Sequence, residues 1–240
     1  VDFGCQYRNK LAVLQLAYSR FNGGEDFDQF CRENGSWLAD FSLYMALKTK
    51  FQGAPWYQWE HKLKFREPSA IWQARQELKD EIRFHCFVQY LFSSQWNALH
   101  AYAREKGVRI IGDVPIYVPY DSVDVWSNPE LFQLDAQLTL EAVAGCPPDG
   151  FSADGQLWGN PLYRWDYHEE TNYSWWVTRM WHSFQLYDVV RIDHFRGFDE
   201  YFSIPYGAKT AHGGHWEKGP GLSLFARIKE CLGDKAVIAE

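Results

Sequence analysis

Three apolar runs each carry a carboxylate, and their side chains set the chemistry open to this chain. In Val189-Val190-Arg191-Ile192-Asp193, Arg191 and Asp193 stand two residues apart. On a strand both point the same way. An adjacent guanidinium holds a carboxylate ionised, as attack on an anomeric carbon requires. His194 follows and can donate to a bound hydroxyl. Glu240 ends a second run, Ala236-Val237-Ile238-Ala239-Glu240. Against apolar neighbours its pKa is expected to rise, so that it keeps a proton for a leaving oxygen. Neighbouring parallel strands lie about 4.8 Å apart, which suits the roughly 5–5.5 Å carboxyl separation of a retaining displacement. Asp113, inside Ile110-Ile111-Gly112-Asp113-Val114, needs a buried partner, for which Arg191 is a candidate. Each of these residues also has a plainer reading. A bare Arg-x-Asp is more often a structural ion pair, Glu240 alone reads as an exposed terminal residue, and Asp113 is equally a sugar contact or a structural acid.

The most distinctive segment runs from Gly145 to Pro161. Its prolines and glycines stiffen it, while Phe151, Trp158, Asp149 and Asn160 offer a stacking surface and hydrogen bonds. That combination suits a sugar subsite, and a packed structural loop about equally. His212 and His215, with Glu217 nearby, lie in a Gly-rich stretch as an HxxH pair without a strong third ligand at metal-binding spacing, so a solvated loop is expected. Neither a phosphate-binding glycine loop nor a GxSxG elbow occurs.

Elements must bring these groups together. Helical spacing marks 10–20 and 37–48, with Ser36 as N-cap, and one long helix from Ser69 to Gly107. After Gly107 the pattern changes to short β-branched runs at 108–118, 189–193 and 236–240, separated by helical stretches such as 222–232. Continuous apolar strands of this kind predict parallel β covered on both faces. An acid at each carboxyl end is the pattern of a (β/α)8 barrel. The expected fold class is therefore α/β: a partial (β/α)8 (TIM) barrel with an inserted loop-rich lobe. Residues 1–240 read as a fragment of one catalytic barrel domain, since both ends look internal. Residues 119–170 read as the inserted substrate-binding lobe over its mouth.

Composition narrows the partners. The net charge is −7 with dispersed basic residues, which argues against nucleic acid. No apolar run reaches membrane-spanning length, and no signal peptide opens the chain. The five cysteines include no CxxC pair, which points to a reducing compartment, the cytoplasm, or a plastid if the source is a plant. Twelve Trp in an 18% aromatic chain suit the apolar faces of sugar rings, or equally an aromatic core.

Taken in order, Ile110–Val118, Val143–Phe151, Trp158–Tyr163, Val190–Phe198 and Val237–Glu240 resemble the amylomaltase, or disproportionating-enzyme, family of 4-α-glucanotransferases. Ile204–Gly207 and Lys218–Gly221 fit as well, so the likeness covers essentially the whole chain. It implies an α-amylase-like barrel and a retaining double displacement on malto-oligosaccharides and α-1,4-glucans, with no metal or organic cofactor. Asp193 matches the family nucleophile and Glu240 its acid/base. Arg191, His194 and Asp113 match the surrounding shell, and Trp158 with its loop, Asp149 and Asn160 included, the substrate-gripping loop. The family's third carboxylate, an Asp preceded by His, has no counterpart before Glu240. The 240 residues alone are therefore expected to be inactive. An α-glucan hydrolase and a non-catalytic glucan-binding module are the alternatives.

Overall fold

Asp2 accepts the amide of Cys5 at 2.8 Å and so caps the first helix. The computed structural model describes residues 2–240, apart from the side chains of Tyr7 and Arg8. The expectation of one domain meets a division into two compact units, Val1–Ala98 and Leu99–Glu240. The first is helical: α1 (Phe3–Tyr18), α2 (Glu25–Glu33), α3 (Gly35–Lys50), α4 (His61–Lys64), α5 (Pro68–Glu77) and α6 (Lys79–Glu105), which continues into the second. Phe27, Phe84 and Phe87 form a buried cluster there, with Tyr18 and Phe21 packed against it. The single helix expected from Ser69 is two, broken at Leu78, where ψ is 20°. Neither Gly nor Pro stands at the joint, so the local residues carry no signal of it.

The second unit holds two sheets. The first is parallel, with β1 (Ile111–Pro115) beside β4 (Val189–Asp193), and β4 beside β7 (Val237–Ala239). Strands that are neighbours in this order are joined through α9 (Ser174–Leu186) and α10 (Leu222–Leu232). The register sets Asp113 opposite Arg191 and Pro115 opposite Asp193. Gly112 is required where Tyr187 packs on β1, because a Cβ there would overlap the ring. Burial is one-sided, contrary to the two covered faces read from the apolar runs. Val114, Val190 and Ile192 are buried, whereas Ile111 and Ile238 are 59% and 42% exposed.

The second sheet is antiparallel, in the order β3-β2-β5-β6. After β1 come the short α7 (Val123–Ser127), then β2 (Ala142–Cys146), β3 (Gln156–Pro161) and α8 (Trp165–Glu170). The sheet is completed by β5 (Glu200–Pro205) and β6 (His215–Lys218), which follow β4. It is thus not confined to 119–170, the bounds read from the sequence. Its core of Leu140, Val143, Phe202, Ile204 and Ala211 draws on both sides of β4. Among the described residues no helix is long and apolar enough to cross a membrane.

Candidate active site

The carboxyl ends of β1, β4 and β7 gather the acids. Arg191 Nη1 donates to Asp113 Oδ1 at 2.6 Å. Its Nη2 lies 3.4 Å from Asp193 Oδ1 and also contacts the Glu240 carboxylate. One guanidinium therefore faces three carboxylates. Glu240 is fixed by its backbone: its amide donates to Ile192 O at 3.2 Å, and its carbonyl accepts the Phe195 amide at 2.6 Å. The side chains of Asp193 and Glu240 face each other within reach of a hydrogen bond, so the two acids titrate as a pair.

The polarity of this pair is opposite to the one expected from sequence. The hydrogen bond to Glu240 pushes the Asp193 pKa up. The hydrogen bond from Asp193, and then the Arg191 guanidinium, hold Glu240 below its usual range. Apolar neighbours were expected to raise Glu240, but its side chain is 56% exposed and touches Arg191 more closely than Asp193 does. In the free site Asp193 therefore takes up a proton before Glu240 does.

His194 continues from β4 in a left-handed conformation, φ 53°. Burial lowers its pKa, so the imidazole is neutral, and its buried Nε2 has no hydrogen-bond partner among the described residues. Trp158 stands edge-on to the ring with centroids 4.8 Å apart. Asp193, His194, Glu240, Trp158 and Asn160 line one cavity of about 690 Å³, whose remaining wall is Pro115, Ile116 and Tyr117. A cavity of that size takes a small organic ligand rather than a single ion.

The structure separates the loop residues read from the sequence. Trp158 reaches the cavity, although its Nε1 is donated to Gln156 Oε1 at 3.0 Å. Asn160 reaches it as well, but Nδ2 is committed to the Val118 carbonyl at 2.9 Å. Asp149 does not line it. Its Oδ1 accepts the amides of Phe151 and Ser152 at 2.8 and 2.7 Å and closes a turn. That turn leaves Phe151 fully exposed. Tyr117 is the wall residue that the sequence reading passed over. Its signal was its place just beyond the strand that bears Asp113. His212 and His215 are exposed and paired with Asp154 and Glu217 at 3.3 and 3.2 Å.

A family model described as 4-alpha-glucanotransferase matches residues 1–240. A 4-alpha-glucanotransferase of Clostridium butyricum is 49% identical, aligned over all of this chain and 50% of its own length. One from Aquifex aeolicus is 46% identical over 98% of this chain and 48% of its own. Among solved structures, an amylomaltase from Streptococcus agalactiae in complex with acarbose superposes with a TM-score of 0.95 at 44% identity. That match covers 100% of this chain and 49% of the other. The chain spans about half the length of the curated relatives it matches.

Proposed function

This chain belongs to the 4-alpha-glucanotransferase family, and on that premise we propose that the protein moves segments of α-1,4-glucan between malto-oligosaccharides by a retaining double displacement. Asp193 attacks the anomeric carbon of the donor sugar as the C1–O4 bond breaks, and Glu240 gives its proton to the departing O4. The 4-hydroxyl of a second glucan then enters. Glu240 takes its proton, the new C1–O4 bond forms, and the bond to Asp193 breaks. Entry of the sugar between the two carboxyls breaks their shared hydrogen bond, and the reaction runs from the form with the proton on Glu240. Arg191 holds Asp193 ionised in that form, and His194 Nε2 meets a sugar hydroxyl.

The observation that carries this reading is the direct contact of Asp193 and Glu240 at the ends of neighbouring strands, on a cavity walled by Trp158 and Tyr117. Acids at the ends of neighbouring parallel strands, which lie about 4.8 Å apart, fit the roughly 5–5.5 Å separation of retaining enzymes better than the roughly 6.5–9.5 Å of inverting ones. The parallel order β1-β4-β7 is in keeping with an arc of a (β/α)8 barrel belonging to one catalytic domain, with the antiparallel sheet as the lobe at its mouth. Acarbose, bound in the Streptococcus agalactiae amylomaltase, is the natural probe for this cavity. All five cysteines are free, which suits the cytoplasm. Incubation of the full-length protein with maltotriose tests the reading. Glucose and longer oligosaccharides should appear without net gain of reducing ends. A net gain means hydrolysis, and no change means that the protein does not act on this substrate.

A further inference from the structure

β1 stops pairing at Pro115, and the segment that follows forms the cavity wall. Its carbonyls are held by side chains instead of a strand partner. Arg179, on α9, donates Nη2 to Pro115 O at 2.7 Å and Nη1 to Ile116 O at 3.0 Å. The Tyr163 hydroxyl gives Ile116 O a second hydrogen bond at 2.7 Å. The guanidinium lies 5.3 and 4.9 Å from the Trp175 and Trp176 ring centroids, and the acid that feels its charge is the half-buried Asp124. A planar fork can hold two successive carbonyls at once, whereas a lysine ammonium is a point donor on a flexible stem.

We propose that Arg179 is a positioning residue for the glucan cavity, acting through the Pro115 and Ile116 carbonyls to set Tyr117 against Trp158 and His194. The Tyr117 ring centroid lies 6.2 Å from that of Trp158 and 6.5 Å from the His194 imidazole. Release of the clamp lets the wall residue that touches both subsite rings drift. Small displacements of this kind cost binding and rate together. Pro115 and Ile116 line the cavity together with Tyr117, so the clamp holds one stretch of wall and its effect reaches substrate through that stretch. The inference rests on the transferase reading above.

The test is Arg179→Lys in the full-length protein, with maltotriose as substrate and acarbose as binding probe. We expect KM for maltotriose and Kd for acarbose to rise by roughly tenfold, measured on the folded fraction well below the unfolding temperature. Tyr163→Phe, which removes one O–H donor to Ile116, should move both in the same direction by less, and it decides the matter if Arg179→Lys does not fold. A lowered unfolding temperature with unchanged KM and Kd would make Arg179 structural only and overturn the proposal. If the unsubstituted protein neither turns over maltotriose nor binds acarbose, the transferase reading itself fails, which is a different result.

Discussion

Asp193 and Glu240 close neighbouring parallel strands and share a hydrogen bond, with the Arg191 guanidinium in contact with both. That contact makes the two acids one titrating unit.

Loss of either acid should stop transfer while leaving binding. Asp193→Asn and Glu240→Gln in the full-length protein should each lower kcat on maltotriose by about 10²–10⁴ or more. Affinity for acarbose should stay within about tenfold, by calorimetry. A glucan-binding module without chemistry would show no turnover to lose.

The pH dependence of kcat/KM should be bell-shaped. Asp193 is raised and Glu240 lowered, so between the two macroscopic steps the pair holds one proton. Below the lower step both are protonated and no nucleophile exists; above the upper step both are ionised and no acid exists. A profile that rises or falls in one direction only would contradict the shared proton.

Stability should fall with acid through His168. The ring is fully buried among aromatic side chains, Nε2 faces Leu131 O at 3.2 Å, and burial depresses its pKa to about 4. A depressed imidazole contributes stability that is fully present above the unfolded pKa, about 6.5, and is lost as pH falls towards 4. The loss should approach roughly 3 kcal/mol. Denaturant unfolding between pH 7 and 4 should show this slope, and replacement of His168 by an uncharged side chain should flatten it.

Asp188 anchors the opposite, amino-terminal end of the sheet. Its carboxylate accepts the Ile110 amide at 2.9 Å, Arg104 Nε at 2.8 Å and His100 Nε2 at 3.0 Å, and these bonds hold its pKa well below the carboxylate range. Asp188→Ala leaves the Ile110 amide and His100 without that acceptor and should cost about 1–3 kcal/mol in unfolding free energy. Catalytic constants of the folded fraction should not change, because the cavity lies at the far ends of these strands.

The features visible in the sequence and those hidden from it differ by how local their causes are. β1, β4 and β7 were legible because a short apolar run and its acid lie together in the chain. So was the Arg191–Asp113 pairing, which follows from two neighbouring strands. The antiparallel sheet was not, since β2 finds its partner β5 only after β4 has intervened. The break at Leu78 has no marker residue. The polarity of the acid pair depends on where the Arg191 guanidinium ends up, and Asn160 is turned to the Val118 carbonyl by contacts across the chain. Asp149 carries the residue type of a sugar ligand, but its neighbours' amides claim it first.

The most direct test of the account is covalent capture. Full-length protein carrying Glu240→Gln, mixed with α-maltosyl fluoride, needs no acid to expel fluoride but lacks the base for the second step. Mass spectrometry of its peptides should find a maltosyl group esterified to Asp193. A sugar attached to another residue, or release of fluoride with no covalent species at any time, would contradict Asp193 as the nucleophile and Glu240 as its partner.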